Sequence, residues 1–339
     1  MLEKWITDES SLKRYKRFKK RKSAIIAVFV FSFLVLLSIT AELWANNKPI
    51  VLFYNGHLMF PVYHDYHPTL FDRSDIMFMD YRSIKGDPKN KFDIWPLVEW
   101  NAFESNENLD TYPSAPSSTN LFGTDDRGRD VLTRLLYGFR YSIGFAVLVW
   151  LISYMVGILI GSIMGFSGGV VDLVGMRFFE VWESLPYFTV LITLVAILDP
   201  SFILLVSIQA LFGWMMIATY MRAEFLKLRK REFVEAAHSL GVSKYKIMFK
   251  HILPNALAPI ITFSPFAVAA GITALTSLDY LGFGLKPPTP SWGELLQQAK
   301  SNFTTAWWLA VYPSVAIFIT VFSLNMIGEA IRDAFDPRK

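Results

Sequence analysis

The sequence predicts an all-α integral membrane protein with six transmembrane helices and an extracytoplasmic insertion after the first of them. Only 18% of the 339 residues are charged and 53% are hydrophobic, whereas about 25% of an ordinary soluble domain is charged. The apolar residues form blocks of about twenty, the length that an α-helix needs to cross roughly 30 Å of hydrocarbon. Basic residues lie beside the ends of these blocks, so the net charge of +4 indicates membrane topology and not nucleic-acid binding.

The first predicted helix, residues 23–44, follows a basic segment. Residues 11–22 carry eight lysines and arginines. A cleaved signal peptide has a shorter apolar region, about 7 to 15 residues long, and ends at a small-residue cleavage site. We therefore expect an uncleaved first helix after a cytoplasmic N-terminal segment, residues 1–22.

Five further blocks predict the remaining spans. They lie at about residues 142–166, 175–198, 201–221, 258–281 and 307–328. With the N-terminus in the cytoplasm, six crossings place the C-terminus and residues 222–257 there as well. That segment holds eight lysines and arginines, while the short connections on the other side hold few, as the positive-inside rule predicts.

Residues 45–141 separate the first two predicted helices. They are rich in aromatic residues, proline, asparagine and aspartate and lack a long helical periodicity, so we expect a small folded insertion that ends in an amphipathic lead-in to the second helix. They also hold ten basic residues on the presumed outer side. This count opposes the topology only weakly, because the positive-inside rule does not govern loops of this length.

The predicted cytoplasmic loop contains the most informative motif. Its residues are Glu235, Ala236, Ala237, Gly241, His251, Leu253 and Pro254. We expect a short helix that ends at Gly241 in the left-handed conformation, a second helix that Ser243 caps, and a stop at Pro254. Ala236 and Ala237 would let a partner surface approach closely, and Glu235 would meet a basic group of that partner.

This motif resembles the EAA loop of ABC-importer permeases, in which Glu-Ala-Ala is followed after three residues by Gly and later by Leu-Pro. The resemblance implies that these residues, in the loop 222–257, couple the permease to its ATPase, and we call them the coupling motif. The ending with His251 is usual in the peptide and nickel branch of that family. Residues 121–138 resemble the Leu-Gly-Thr-Asp and Gly-Arg-Asp-Val-Leu signature of C-type dipeptide, oligopeptide and nickel permeases, from which Phe122 departs. The resemblance covers about residues 120–339 and the first span, and the enlarged first loop is similar to that of the microcin C and oligopeptide importer subgroup.

The resemblance implies a type I ABC importer permease fold, with residues 142–339 as the permease core, in the bacterial inner membrane. It also implies a second homologous permease subunit, an extracytoplasmic solute-binding protein and a peptide substrate. ATP and magnesium would be bound by two ATP-binding subunits or one fused tandem ATPase. A nickel or other small-solute importer is the alternative within the family.

Catalytic and metal chemistry find little support in the residues. The phosphate-binding pattern Gly-x4-Gly-Lys-Ser/Thr does not occur, so the chain cannot itself be the P-loop ATPase. The chain contains no cysteine, and His251 has no second ligand at a suitable spacing, so we expect no metal site and no cofactor in this chain. An intramembrane enzyme that uses Glu180, Glu183 or Asp279, or a passive channel, remain as hypotheses of other classes.

Several residues within the predicted bundle are candidates for packing or transport. Gly157, Gly161 and Gly165 share one face of the second span, where small residues let helices approach closely; a permeation role is the alternative. The charged run of residues 125–134 predicts either a solvated or self-paired structural face, or an extracytoplasmic gate. Paired carboxylates do not indicate hydrolysis here, because adjacent aspartates cannot face one bond.

The remaining candidates lie near the ends of spans. Arg177, Glu180 and Glu183 are spaced by three residues, so they share a helix face, either in a structural network near the ATPase or in contact with substrate. Pro186 interrupts a span, as do Pro265 and Pro313; such a proline suits a moving gate but also occurs in static bundles. Asp279 would attract a substrate amine or serve a plain helix-end role.

Overall fold

The computed structural model of the protein describes residues 9–74 and 76–336. Residues 1–8 of the predicted N-terminal segment and residues 337–339 at the predicted cytoplasmic C-terminus lie outside the described residues. Within the described part, the helices in chain order are α1 (Glu9–Lys20), α2 (Lys22–Ile39), α3 (Ala41–Trp44), α4 (Val131–Ser167), α5 (Gly169–Glu183), α6 (Tyr187–Ile197), α7 (Phe202–Leu228), α8 (Glu232–Ser239), α9 (Lys244–Lys246), α10 (Leu253–Tyr280), α11 (Trp292–Ser301) and α12 (Trp308–Phe335).

Five helical segments of the described chain are long and apolar enough to cross a membrane. They are α2, α4, α7, the continuous helix Lys244–Tyr280 and α12. The pair α5 and α6 would form a sixth span if counted together, although the two helices are bent by 66°. Pro186 lies at this bend, whereas Pro265 and Pro313 lie inside α10 and α12 without ending them. The count of six stays a prediction that depends on the bent pair.

The helix expected at residues 142–166 begins earlier, at Val131. Asp130 caps its N-terminus, because one carboxylate oxygen accepts a hydrogen bond from the Thr133 backbone N–H at 2.8 Å and the other accepts from the Asn120 side chain at 2.9 Å. The amphipathic lead-in and the second span are therefore one helix of 37 residues.

The insertion contains a small antiparallel sheet, so the expectation of an all-α fold is wrong for this segment. Its strands are β1 (Val51–Tyr54), β2 (His57–Met59) and β3 (Asn90–Ile94), in the order β2-β1-β3. Asn55 and Gly56, with φ of +48° and +85°, form the two-residue turn between β1 and β2. An Asn-Gly pair between strand-forming residues favours this turn, because both positions need a positive φ.

The glycines of α4 allow a close contact between α4 and α7. Cβ atoms on Gly157, Gly161 and Gly165 would lie 2.6, 2.2 and 2.5 Å from backbone oxygens of α7. A side chain at any of the three would push the two helices apart. The structure therefore places these glycines in helix packing, which was the first of their two predicted roles.

The two ends of the described chain meet at one end of the bundle. Arg17 of α1 donates a hydrogen bond to the Asp336 carbonyl at 2.9 Å, and the Arg14 guanidinium lies 4.5 Å from the centre of the Phe335 ring. Gly328, near the end of α12, contacts Phe266 in the first half of α10. The start of α12 and the second half of α10 line one groove. The two helices are therefore antiparallel, and α1 lies at the same end as α8.

Candidate functional site

The predicted coupling motif forms a helix-turn-helix between α7 and α10. Helix α8 ends at Ser239, two residues before Gly241, whose φ of +73° is the left-handed conformation that the sequence predicts. The Val242 backbone N–H donates to the Ala237 carbonyl at 3.1 Å and closes the turn. Ser243 occupies the N-cap position of the second helix, but its side chain makes no capping hydrogen bond.

One face of α8 anchors the motif to the bundle. Val234 and Ala237 are buried against Met221 and Phe225 of α7 and against Ile247. Ala237 is only 6% exposed, so its expected contact with a partner is wrong and its small side chain instead lets α8 lie close to its own bundle. Glu235 and Ala236 point outward and are the two members of the triplet that a partner can reach.

The exposed surface of the motif is apolar with a basic border. Phe233, Leu240 and Tyr245 are exposed, the last two by 82% and 77%. Together with Glu235 and Ala236 we call these residues the coupling face. Exposed lysines follow it in the next helix, at Lys244, Lys246 and Lys250. Large apolar side chains grouped on a surface and rimmed by charge mark a protein-protein contact.

Pro254 does not end the second helix, contrary to the sequence prediction. The helix continues from Lys244 to Tyr280 and contains a π-helical segment, Ile247–Ile252, that ends two residues before the proline. In a regular α-helix a proline ring clashes with the carbonyl four residues earlier, and the wider π turn relieves that crowding. His251 is half-buried here, and its carbonyl accepts from the Asn255 side chain at 2.8 Å.

The charged residues of α5 are only partly brought together. An Arg177 side-chain nitrogen lies 2.6 Å from a Glu180 carboxylate oxygen on the exposed face of the helix, as the spacing predicts. Glu183 is exposed and ends α5. The start of α5 is fixed to α7 by an ion pair of Asp172 with Arg222, which has one contact of 2.7 Å. This end of α5 is therefore close to the coupling motif.

Asp279 is buried and joins two elements. Its carboxylate accepts hydrogen bonds from the Leu285 backbone N–H at 2.7 Å and from the Ser291 hydroxyl. These contacts tie the end of α10 to the start of α11. The geometry favours the helix-end role over contact with a substrate amine.

A buried ion-pair cluster lies where α4 meets α11. An Arg129 side-chain nitrogen is 2.6 Å from Asp125 and 3.0 Å from Glu294, and Arg134 pairs with the same two carboxylates. All four side chains are almost completely buried, and their formal charges cancel. Of the two predicted roles of this run, the structure favours the self-paired structural one. Desolvation raises the pKa of the neighbouring Asp126 carboxyl, and the Asp125 charge adds to the rise.

Sequence reasoning missed Glu294. Ser291 caps α11 and Glu294 follows three residues later, which is the capping-box pattern of a helix start and was a readable signal. That pattern would have predicted a hydrogen bond from the Ser291 backbone N–H to the Glu294 carboxylate. In the structure this carboxylate pairs instead with Arg129 and Arg134. The described residues contain no group of three or more His, Asp or Glu that could hold a metal ion.

Comparison with known proteins gives consistent matches. Residues 157–339 match the family described as "binding-protein-dependent transport system inner membrane component". The chain is 40% identical to the inner membrane ABC transporter permease protein YejE of Escherichia coli (strain K12), over 96% of each chain. It is 38% identical to the peptidoglycan transport system permease protein YejE of Agrobacterium fabrum, over 96% of this chain and 93% of the relative.

A third relative matches a smaller part of the chain. The dipeptide transport system permease protein DppC of Bacillus subtilis is 34% identical over 66% of this chain and 70% of its own. The two matches over 96% of the chain must extend through most of the insertion, whereas a match over 66% leaves out about a third of the chain.

Proposed function

This chain belongs to the family of binding-protein-dependent transport system inner membrane components, and we propose that it is the permease subunit of an ATP-driven importer of oligopeptides or peptide-like compounds of the microcin C type. The observation that carries the proposal is the coupling motif, an anchored helix whose apolar face is exposed at one end of the bundle. Relatives named as dipeptide and oligopeptide permeases support a peptide substrate. Peptides derived from peptidoglycan are a second candidate, because one relative is named for that substrate.

The proposed topology has six spans, with α5 and α6 as one bent span and both termini in the cytoplasm. Its support is the shared position of α1, α8 and the end of α12 at one end of the bundle, where basic residues are dense. The insertion lies at the other end and faces the extracytoplasmic side. This arrangement follows the positive-inside rule for short loops.

The proposed mechanism transmits motion of ATPase subunits through α8. Val234 and Ala237 join this helix to α7 and to the helix that begins at Lys244, so a push on the coupling face moves both spans together. The partners are a second homologous permease, two ATP-binding subunits or one fused tandem ATPase, and an extracytoplasmic solute-binding protein. This chain contributes no cofactor, and ATP and magnesium are bound by the ATPase.

The test is uptake of labelled dipeptides, tripeptides and longer peptides by cells with and without this chain, beside nickel uptake. We expect peptide uptake to be lost in cells without the chain and nickel uptake to stay unchanged. Unchanged peptide uptake with lost nickel uptake would instead assign the chain to the metal-importing branch. Unchanged uptake of both would contradict the proposal.

Substitution of Gly241 should impair transport when the new residue disfavours the left-handed backbone conformation. A valine there must adopt the left-handed conformation, which costs about 1–2 kcal/mol, although no atom within 4 Å would clash with its Cβ. Gly241→Asn is the matched control, because asparagine tolerates this conformation. We expect peptide uptake to fall in the valine variant and to stay near wild type in the asparagine variant. Equal uptake in the two variants would show that the turn is not important for coupling.

Reversal of the Glu235 charge should separate ATP hydrolysis from transport. Glu235 is exposed on the coupling face, so Glu235→Lys leaves the anchored face of α8 intact while it repels a basic partner group. We expect the reconstituted complex to hydrolyse ATP with little peptide uptake, and Glu235→Gln to retain most of the coupling. Wild-type uptake by the lysine variant would remove Glu235 from the coupling mechanism.

A further inference from the structure

A half-open cavity of about 380 Å³ lies between α4, α7 and α10, about halfway along these helices. Its aromatic walls include Trp150, Tyr154, Phe263 and Phe266, and none of its lining residues is charged. Sites for small molecules in proteins have volumes of about 300–1,000 Å³. This cavity therefore has room for a segment of a peptide and not for a whole oligopeptide.

Four polar side chains line this cavity with unused hydrogen-bonding capacity, because the Trp150 indole N–H and the Tyr154 hydroxyl, like Ser153, have no hydrogen-bond partner among the described residues. Ser153 is 4% exposed, and its hydroxyl has no hydrogen-bond partner among the described residues. Gln209 accepts a hydrogen bond from the Tyr187 hydroxyl at its amide oxygen, which leaves its amide N–H groups as donors. A buried polar group without a partner costs about 1–3 kcal/mol. Because Ser153 also borders a cavity with room for a small molecule, a ligand from outside the chain can supply its missing hydrogen-bond partner.

The lining chemistry selects the kind of ligand. Donors without a neighbouring charge suit a neutral carbonyl oxygen, and aromatic walls suit an apolar side chain beside it. A peptide bond next to an apolar residue has both features. A charged peptide terminus or a metal ion does not suit this cavity, because burial of an unpaired charge is very costly.

We propose that this cavity is a binding site within this subunit for a neutral peptide-bond segment of the translocated substrate, with Ser153 and Gln209 as donors to its carbonyl oxygen. The proposal rests on the proposed function and adds a site apart from the charged residues of α5 and from Asp279. Ligand sites near the middle of the bilayer are common in membrane transporters. The binding is transient, since each substrate must also leave the site.

Alanine variants test the site through the affinity for peptide. Ser153→Ala removes a donor that holds nothing in the fold, so we expect normal folding and a KM for uptake of alanine peptides of three to six residues that rises about two- to tenfold, the worth of one hydrogen bond. Ser162→Ala is the matched control, because Ser162 is also on α4, buried and without a hydrogen-bond partner, and does not line the cavity. Equal KM values in the two variants would overturn the proposal and leave water as the occupant.

A double variant places a methyl group beside the position of the Ser153 hydroxyl. A Cβ atom on Gly213 would lie 2.8 Å from the Ser153 hydroxyl oxygen but 3.6 Å from the Ser153 Cβ. Gly213→Ala therefore requires the Ser153 hydroxyl to turn away unless Ser153→Ala is present as well. We expect the double variant to raise KM further than Ser153→Ala alone, and an unchanged KM would contradict occupation of the cavity by substrate.

Cysteine labelling distinguishes failure of this site from failure of the proposed function. The chain has no cysteine, so Ser153→Cys introduces a single thiol that a small methanethiosulfonate reagent labels in the working complex. We expect alanine peptides to slow this labelling, and to leave labelling of Leu151→Cys, at an exposed position of α4 that does not line the cavity, unchanged. Peptide uptake without protection of the thiol overturns the site alone. Absence of peptide uptake by the wild-type complex refutes the proposed function, and the site with it.

Discussion

Replacement of Arg134 by methionine should destabilise the protein by about 3–5 kcal/mol, the usual cost of removing one partner from a buried ion pair. The Arg134 guanidinium is fully buried and pairs with Asp125 and Glu294, and it donates to the Ala102 carbonyl at 2.9 Å. Without it, two carboxylates share one arginine, and the insertion loses a contact with α4. We expect a lower thermal unfolding midpoint and less folded protein in the purified complex.

Arg127→Met is the matched control. Arg127 belongs to the same charged run but is 54% exposed, with its side chain 4.0 Å from Asp126, so its removal should change stability by less than about 0.5 kcal/mol. A second test combines Arg134→Met with Glu294→Met, which leaves the neutral pair of Asp125 and Arg129. The double variant should lose less stability than the sum of the single variants. Equal losses for Arg134→Met and Arg127→Met would show that the cluster does not hold the fold.

Gly161→Ala should destabilise the contact of α4 with α7 by about 1–3 kcal/mol, the range typical of an overpacked core. The new Cβ would lie 2.2 Å from the Ala218 carbonyl oxygen and 2.8 Å from the Met221 Cβ. The nearest atom belongs to the backbone of a long helix, so it cannot turn away as a side chain would. The helices must separate, and the glycine contacts on either side weaken with them.

The same substitution elsewhere on α4 should be harmless. Gly144→Ala places a Cβ 3.7 Å from the Phe202 ring, an ordinary contact, and alanine is the better helix former by about 1 kcal/mol. Thermal unfolding of the two variants of the complex measures the difference. If Gly161→Ala were as stable as Gly144→Ala, close packing at the glycines would not be what holds these helices together.

The insertion shows what sequence patterns did not reveal. The strands β1 to β3 are three to five residues long, so they give little periodicity, and only the Asn55-Gly56 turn was a readable signal. The sheet becomes stable because Tyr54, Phe71 and Tyr81 pack together under it. That contact joins residues far apart in the chain, which no local pattern reports.

The sequence by itself determined the apolar helices, the left-handed turn at Gly241 and the family, because each depends on the composition or spacing of neighbouring residues. Only the tertiary structure decided that Ala237 faces the bundle, that Asp279 is sealed beneath α11, and that Glu294 completes the ion-pair cluster. Glu294 and Arg129 are 165 positions apart, and their meeting depends on how α11 folds back onto α4. Burial and pairing of this kind arise from contacts between helices, so they become visible only when the helices are packed together.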